Sequence, residues 1–483
     1  GTSIVFNSPE VFRSSAVSRV QSTFDSNSNR VVTSFWDAGN SNYGGAVVLR
    51  TGNANLTAEN YIGMSGGVVD VTGTAGGTGS ETVFEQATSR SVASAYDTNA
   101  NRVVIAYADN GNSQYGTAIV GTVSGTSISF GSPVVFETAE VQNVSVVFDS
   151  NSNKIVIAYA DEGNSSHGTA IVGTVSGTAI SFGSAVVFEA ANSGSIVATF
   201  DSNSNKAVIA YQDLGNSNYG TAIVGTVSGT GISFGTAVVF EQAEVSGNSI
   251  KVAFDSSSNK IVIVYRDSGN SSYGTAIVGT VSGTGISFGT AVVFNAAATN
   301  SNGVPIIDTD NNKVIVSYKD GGNSSYGTAR VGTVSGTGIS FGTAVVFNSG
   351  NTELYEGQAY HPNIQRAVIG YRDDGDSNIG KYNVGTVSGT DISFAGEVAF
   401  NSGRADNLSL IYDPDSENLV MSFEDNANSS YGTSLVFTPS TLAINRGEVP
   451  SGSQAIINIT GSVSSIQTGL TAGQSYFVQV DGT

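Results

Sequence analysis

Five carboxylates, Glu353, Glu356, Asp374, Asp376 and Asp406, stand where the chain departs from its own internal pattern, and they are its candidates for acid–base chemistry. Glycoside hydrolysis would need two of them held at a fixed separation across the scissile bond. Nothing in their order along the chain sets such a pair across a pocket, and surface acids of this kind more commonly supply solubilising charge. Cysteine is absent, which removes thiolate nucleophiles, disulfides and thiolate metal sites. The two histidines, His167 and His361, are too few for most histidine-based zinc centres, and neither lies in a nucleophile-like motif. Turns such as DSNSN at 149–153 and 201–205 present a row of oxygens but lack the later acidic ligand of a calcium loop. Asp and Asn in such turns ordinarily bond their own backbone. No catalytic residue, metal or cofactor is expected.

A second group of residues suits recognition. Aligning the chain on one recurring aspartate gives Asp37, Asp109, Asp161, Asp213, Asp267, Asp320, Asp373 and Asp425. The position just before it reads Trp36, Ala108, Ala160, Gln212, Arg266, Lys319, Arg372 and Glu424, although its neighbours barely change. Features shared by every repeat are explained by the fold, so function is sought where repeats differ. The single tryptophan and three of the nineteen basic residues fall in this slot. An aromatic ring with Arg and Lys on one rim would stack on sugar rings and bind acidic sugar groups. Trp36, Gln212, Arg266, Lys319, Arg372 and Glu424 are therefore the candidate ligand-binding residues, against the plainer reading of a drifting, solvated strand end.

The aligned aspartates lie 72, 52, 52, 54, 53, 53 and 52 residues apart, which makes eight units, the first carrying an insertion near 51–78. The clearest copy, Val252 to Phe294, reads as four short strands: VAFD, KIVIVYRD, TAIVGTV and ISFGTAVVF, joined by DSSSN, DSGNSSYG and SGTG turns. With 60 glycines and only 12% charged residues, helix is disfavoured throughout. One twisted four-stranded sheet cannot bury both faces alone, so a closed eight-bladed β-propeller of antiparallel blades is expected. Unit eight stops at YGTSLVF (431–437) without its fourth strand, and residues 1–12, GTSIVFNSPEVF, match that strand. The expectation is thus a propeller over 1–437 closed by strand 1–12, followed by a small β module over 438–483. The chain begins at Gly1 and ends in a strand-like run, so a longer parent is expected.

In such a blade the turn between strands two and three shares a face with the link to the next blade. DxGNSxYG turns and stretches such as EQAEVSGNS (241–249) and NSGNTELYEGQ (348–358) therefore meet on one face. Unit seven, with AYHPNIQRAVIGY and DDGDSNIG, has drifted furthest. A net charge of −20 without any basic cluster disfavours nucleic acid and anionic membranes as partners, and no apolar run is long enough to insert in a bilayer.

The DxGNSxY turn resembles the Asp-box hairpin of sialidase-like propellers, a structural motif there. It departs in placing the aromatic one position late and in having Tyr before the aspartate segment, as at Tyr159 and Tyr265. At the C-terminus SVSSIQTGLTAGQSYFVQVDGT (462–483), and LTAENYIG at 56–63, resemble modules at the ends of phage tail-fibre-like proteins. That resemblance implies a virion-borne or extracellular receptor-binding component that recognises a host-surface glycan or protein alongside other virion or appendage subunits, and supplies no catalytic residue. A homo-oligomer would add avidity to weak sites. The leading expectation is a non-enzymatic binding module; the alternatives are a structural filament or decoration subunit and a glycan-cleaving enzyme.

Overall fold

The computed structural model describes residues 77–439, apart from 248, in full, and of the flanking chain only the backbone of short strands. Two compact units result, Gly76–Pro439 and the combination of Gly1–Ala75 with Ser440–Thr483.

Within 77–439 the strands form a closed antiparallel ring. Each of the aligned residues Asp109, Asp161, Asp213, Asp267, Asp320, Asp373 and Asp425 ends the second strand of one four-stranded sheet, called here by that aspartate. In the Asp161 blade, Val141–Asp149 pairs with Lys154–Asp161, that strand with His167–Ser176, and the third with Ala179–Phe182 and Val186–Asn192. The outer strand then runs unbroken into the inner strand of the next blade, as Val186–Asp201 does.

The second strands are buried along nearly their whole length, as in Lys154–Asp161, which explains why they read as continuous apolar runs instead of alternating. Seven apolar clusters fill the ring, one between each neighbouring pair of sheets. Ile155, Ile157 and Tyr159 of one blade, for example, pack on Val104, Ala106, Ala118 and Val120 of the one before. Phe136 at the end of an outer strand lies 5.2 Å from Tyr159 and 5.7 Å from Phe182 of the following blade. Gly116 makes room for that ring, since a Cβ there would stand 2.4 Å from it.

The ring closes differently from the sequence expectation. The strand missing after Tyr431–Thr438 is supplied by Gly77–Thr78 and the start of Thr82–Asp97, not by 1–12. Gly79 donates its N–H to Val436 O at 2.9 Å, as Gly131 does to Val120 O, so the segment sits as an ordinary outer strand. The part of the supposed insertion that reaches 78 is therefore its beginning. The ring holds seven of the eight units. The first forms its own sheet, Val17–Asp25, Arg30–Asp37, Tyr43–Arg50 and Ile62–Gly63, paired in that order. Residues 1–12 lie outside the described residues. Beyond the ring, Ala443–Arg446 pairs with Val69–Thr72, and Ala455–Ile456 with Phe477–Val478, so the last segment shares a unit with the first rather than standing alone.

Candidate functional site: the turn face and its mouth

The inner strands of all seven blades surround a central channel of about 130 Å3, lined among others by Ser94, Ser145, Val197, Val252, Val304, Gln358 and Ser409. Serines join the blades there: Ala198 N–H donates to Ser145 Oγ at 3.0 Å, Ile250 N–H to Ser195 Oγ at 3.1 Å and Ser94 N–H to Ser409 Oγ at 2.9 Å. Inner-edge amides that would otherwise lack a partner are satisfied by the neighbouring blade.

On the face of the DxGNSxYG turns the channel widens into a mouth of about 210 Å3, to which every blade contributes. Ser91, Asn143, Ser195 and Asn407 rim it in left-handed conformations, with φ between 48° and 51°, each beside a bulge in its inner strand. In the Asp267, Asp320 and Asp373 blades, whose aspartates follow the preceding ring aspartate by 53 or 54 residues, the inner strand breaks instead, at 245–250, 303–305 and 354–357. The extra residues push side chains over the mouth. Lys251 and Glu356 pair across it at 3.3 Å, and Lys319 pairs with Glu353 at 3.2 Å.

Arg372 is the most heavily bonded of the slot residues. It donates through Nε to Asp374 Oδ1 at 2.5 Å, through Nη1 to Tyr355 Oη at 2.7 Å, and also through Nη1 to Asp406. Arg404 and Tyr355 donate to the same Asp406, at 2.7 and 2.9 Å. Burial works to raise the pKa of Asp406, yet the Arg404 and Tyr355 hydrogen bonds and the Arg372 charge outweigh it and hold this carboxyl below its usual range. Glu424 moves the opposite way, raised by burial and by the Asp406 charge, while accepting from Asn407 Nδ2 at 2.7 Å.

The candidate slot is therefore not a free rim. Gln212 and Glu424 are buried, and Gln212 Nε2 donates to Val245 O at 2.6 Å. Lys319 and Arg372 are half-buried in ion pairs. Arg266 makes no ion pair among the described residues. Trp36 belongs to the first sheet, outside the ring, and its side chain lies outside the described residues. The candidate acids Glu353, Glu356, Asp374 and Asp406 do come together, but each with a cation; Asp376 pairs with Lys381 at 2.8 Å. His361 is buried against Tyr412, 4.8 Å between rings. The calcium-like turns are closed on themselves, Asp149 Oδ1 accepting from the N–H groups of Asn151 and Ser152 at 2.9 and 3.0 Å. Among the described residues no group of three His, Cys, Asp or Glu converges as a metal site.

Sequence reasoning missed Tyr355, Lys251 and two slot pairings. Lys319 and Glu353 lie 34 residues apart, as do Arg372 and Asp406. Each links a slot to the inner strand of the next blade, whereas Arg266, with Asn300 at the same offset, makes no such pair among the described residues. That offset was readable.

The chain is a propeller-type repeat protein. No family model and no curated protein matches it. Solved structures with a similar course include AofleA from Arthrobotrys oligospora, at 9% identity over 68% of this chain and 91% of that one, TM-score 0.43. The NanB sialidase from Streptococcus pneumoniae matches at 10% over 84% and 83%, TM-score 0.41. A protein of unknown function from Dyadobacter fermentans matches at 10% over 75% and 99%, TM-score 0.47. With every one of these TM-scores below 0.5, the propeller assignment rests on this chain's own strand pairing and apolar clusters.

Proposed function

We propose that the ring is a non-enzymatic binding module whose recognition surface is the face of the DxGNSxYG turns. One observation carries this reading: departures from the repeat collect around the mouth on that face, while the blades beneath them keep a common packing. A glycosidase would need a carboxyl free to give a proton opposite one free to act as base or nucleophile. Here Glu353, Glu356, Asp374 and Asp406 are tied to cations, which supports binding over cleavage. The ligand class proposed is a host-surface glycan or protein. The resemblance of 462–483 to tail-fibre ends supports a virion or other extracellular surface as its setting, with further appendage subunits as neighbours.

A structural subunit is the second reading, favoured by a different observation. Val135, Val187, Val293, Val346 and Val398, equivalent or adjacent positions on five outer strands, are each 38–43% exposed around the circumference, where a neighbouring subunit could cover them. A glycan array and host-polysaccharide binding scan with the purified chain separates the two. Specific, saturable binding supports the module; a blank scan with an intact ring, together with concentration-dependent assembly, supports the subunit.

A further inference from the structure

Beside the charged mouth, and sharing Asn143, Ser195 and Gly247 with it, a second concavity of about 490 Å3 lies over the junction of the Asp161 and Asp213 blades on the same face. Its lining is almost wholly amide and hydroxyl, with Glu162 as its carboxylate, and the Glu162 Oε2 already accepts from Ser166 Oγ at 2.7 Å. No ion pair reaches it among the described residues.

Three departures from the repeat coincide there. After the aligned aspartate, the ring blades carry Asn110, Glu162, Leu214, Ser268, Gly321, Asp374 and Asn426, so Leu214 is the one large apolar side chain at that turn position, and it is 40% exposed. Gln212, two residues before it, is fixed by its bond to Val245 O. Gly194 occupies the position held by Gln142 one blade earlier, and a Cβ on Gly194 would stand 3.0 Å from Gln212 Oε1 and 3.2 Å from Leu214 Cδ1. The missing side chain is what opens the hollow. Asn143 and Asn192 border it, and no side-chain hydrogen bond to either is present among the described residues. One fixed amide and two with unused donors and acceptors beside an exposed aliphatic patch, with no cation, match a molecule that has hydroxyls at its edge, an apolar C–H face and no charge.

Resting on the reading of the ring as a binding module, we propose that this cleft is a binding site for an uncharged sugar ring, its C–H face on Leu214 and its hydroxyls on the amides of Gln212, Asn143 and Asn192.

The test installs residues that sibling blades already carry, so that folding is preserved: Gly194→Gln, as in the Asp161 blade, and Leu214→Asn, as in the Asp109 blade. Wild type, both variants and Asp391→Asn, in an exposed hairpin at the opposite end of the strands from the DxGNSxYG turns, are run on an array of uncharged, sialylated and uronic-acid glycans, with affinities by calorimetry and thermal melts as the fold check. The expected result is binding to an uncharged glycan that each cleft variant weakens at least tenfold with an unchanged melt, and that Asp391→Asn leaves alone. Glycan binding untouched by both cleft variants, or confined to acidic glycans, overturns this site while leaving a binding module. An array blank for every glycan also overturns it, and if protein receptors and host polysaccharides are blank too, the binding reading falls with it.

Discussion

The Asp109, Asp161 and Asp213 blades and the Asp320, Asp373 and Asp425 blades share one packing and differ on one face. In the first arc the Tyr of each blade donates to a Glu that follows VF or VVF on the outer strand of the blade before: Tyr107 to Glu85 and Tyr159 to Glu137 at 3.1 Å, Tyr211 to Glu189 at 2.9 Å. In the second arc Asn295, Asn348 and Asn401 replace that Glu. They too reach the next blade, but bond its aligned aspartate, Asn295 Nδ2 donating to Asp320 Oδ1 at 3.2 Å and Asn401 Nδ2 to Asp425 Oδ1 at 3.0 Å. Every ion pair among the described residues has a partner between Glu353 and Asp406. One arc ties its blades through tyrosine–glutamate bonds and forms no ion pair among the described residues; the other ties them through asparagine–aspartate bonds and gathers the ion pairs.

If the difference is confined to the face, the cores must respond alike. Phe188, 5.3 Å from Tyr211, and Phe400, 5.2 Å from Phe423, hold the same place in the two arcs. Phe188→Ala and Phe400→Ala should each cost about 3–5 kcal/mol by denaturant unfolding. Costs differing by more than about 2 kcal/mol would show that the arcs diverge in their packing as well.

The next largest effect belongs to the charged arc. Arg372→Ala leaves buried Asp406 and half-buried Asp374 without their shared cation, and a loss of about 2–3 kcal/mol is expected, discounted from the fully buried case because Asp374 is partly exposed and Arg404 stays on Asp406. Adding Asp406→Asn should restore part of it. A double variant no more stable than Arg372→Ala would mean that Tyr355 and Arg404, not Arg372, set the Asp406 environment.

His361 makes the charged arc sensitive to acid. Burial lowers its pKa, with the Glu417 carbonyl and charge pulling weakly the other way. Between about pH 6.5 and the lower folded value, the unfolded chain takes up a proton that the ring refuses, so stability falls as pH falls, by at most about 1.4 kcal/mol per pH unit. Glu81, Glu85 and Glu424, all raised first by burial, act in the opposite sense nearer pH 4.5, so the comparison belongs between pH 5 and 6.5. His361→Gln should flatten the slope there; an unchanged slope removes His361 as its source.

Much of this architecture was legible because each blade repeats the same local instructions: apolar central strands, Asx turns at Asp149 and its equivalents, and the aromatic pair of Phe136 and Tyr159. The strand that closes the ring was misplaced because GGTGSETVFE (76–85) keeps only the final VFE and a glycine of the SGTxISFGxxVVF pattern, whereas 1–12 keeps more of it. Pairing is decided by position as well as pattern, and 77–88 feeds directly into the inner strand of the Asp109 blade. The slot was found by its variability, but its side-chain partners come from the neighbouring blade. Variability alone therefore could not separate a free rim from a neutralised one. The cleft beside Gln212 depends on the absence of a side chain at Gly194, which only a register between blades exposes.

The smallest expected effect is the sharpest discriminator between the arcs. Tyr211 and Tyr371 are equivalent, fully buried, and inclined against Phe188 and Phe347 with ring centres 5.3 and 5.2 Å apart. Tyr211 donates to Glu189, whereas Tyr371 Oη, in a blade whose preceding outer strand ends in Asn348, has no hydrogen-bond partner among the described residues. Tyr211→Phe removes a made bond and strands a carboxylate oxygen, so a loss of about 1 kcal/mol is expected. Tyr371→Phe removes an unsatisfied hydroxyl and should be neutral or slightly stabilising. Equal losses in the two denaturation midpoints would mean that a group at Tyr371, such as Glu397 or a trapped water, serves as its acceptor, and the contrast between the arcs would then lie in which acceptor each blade uses rather than in whether it has one.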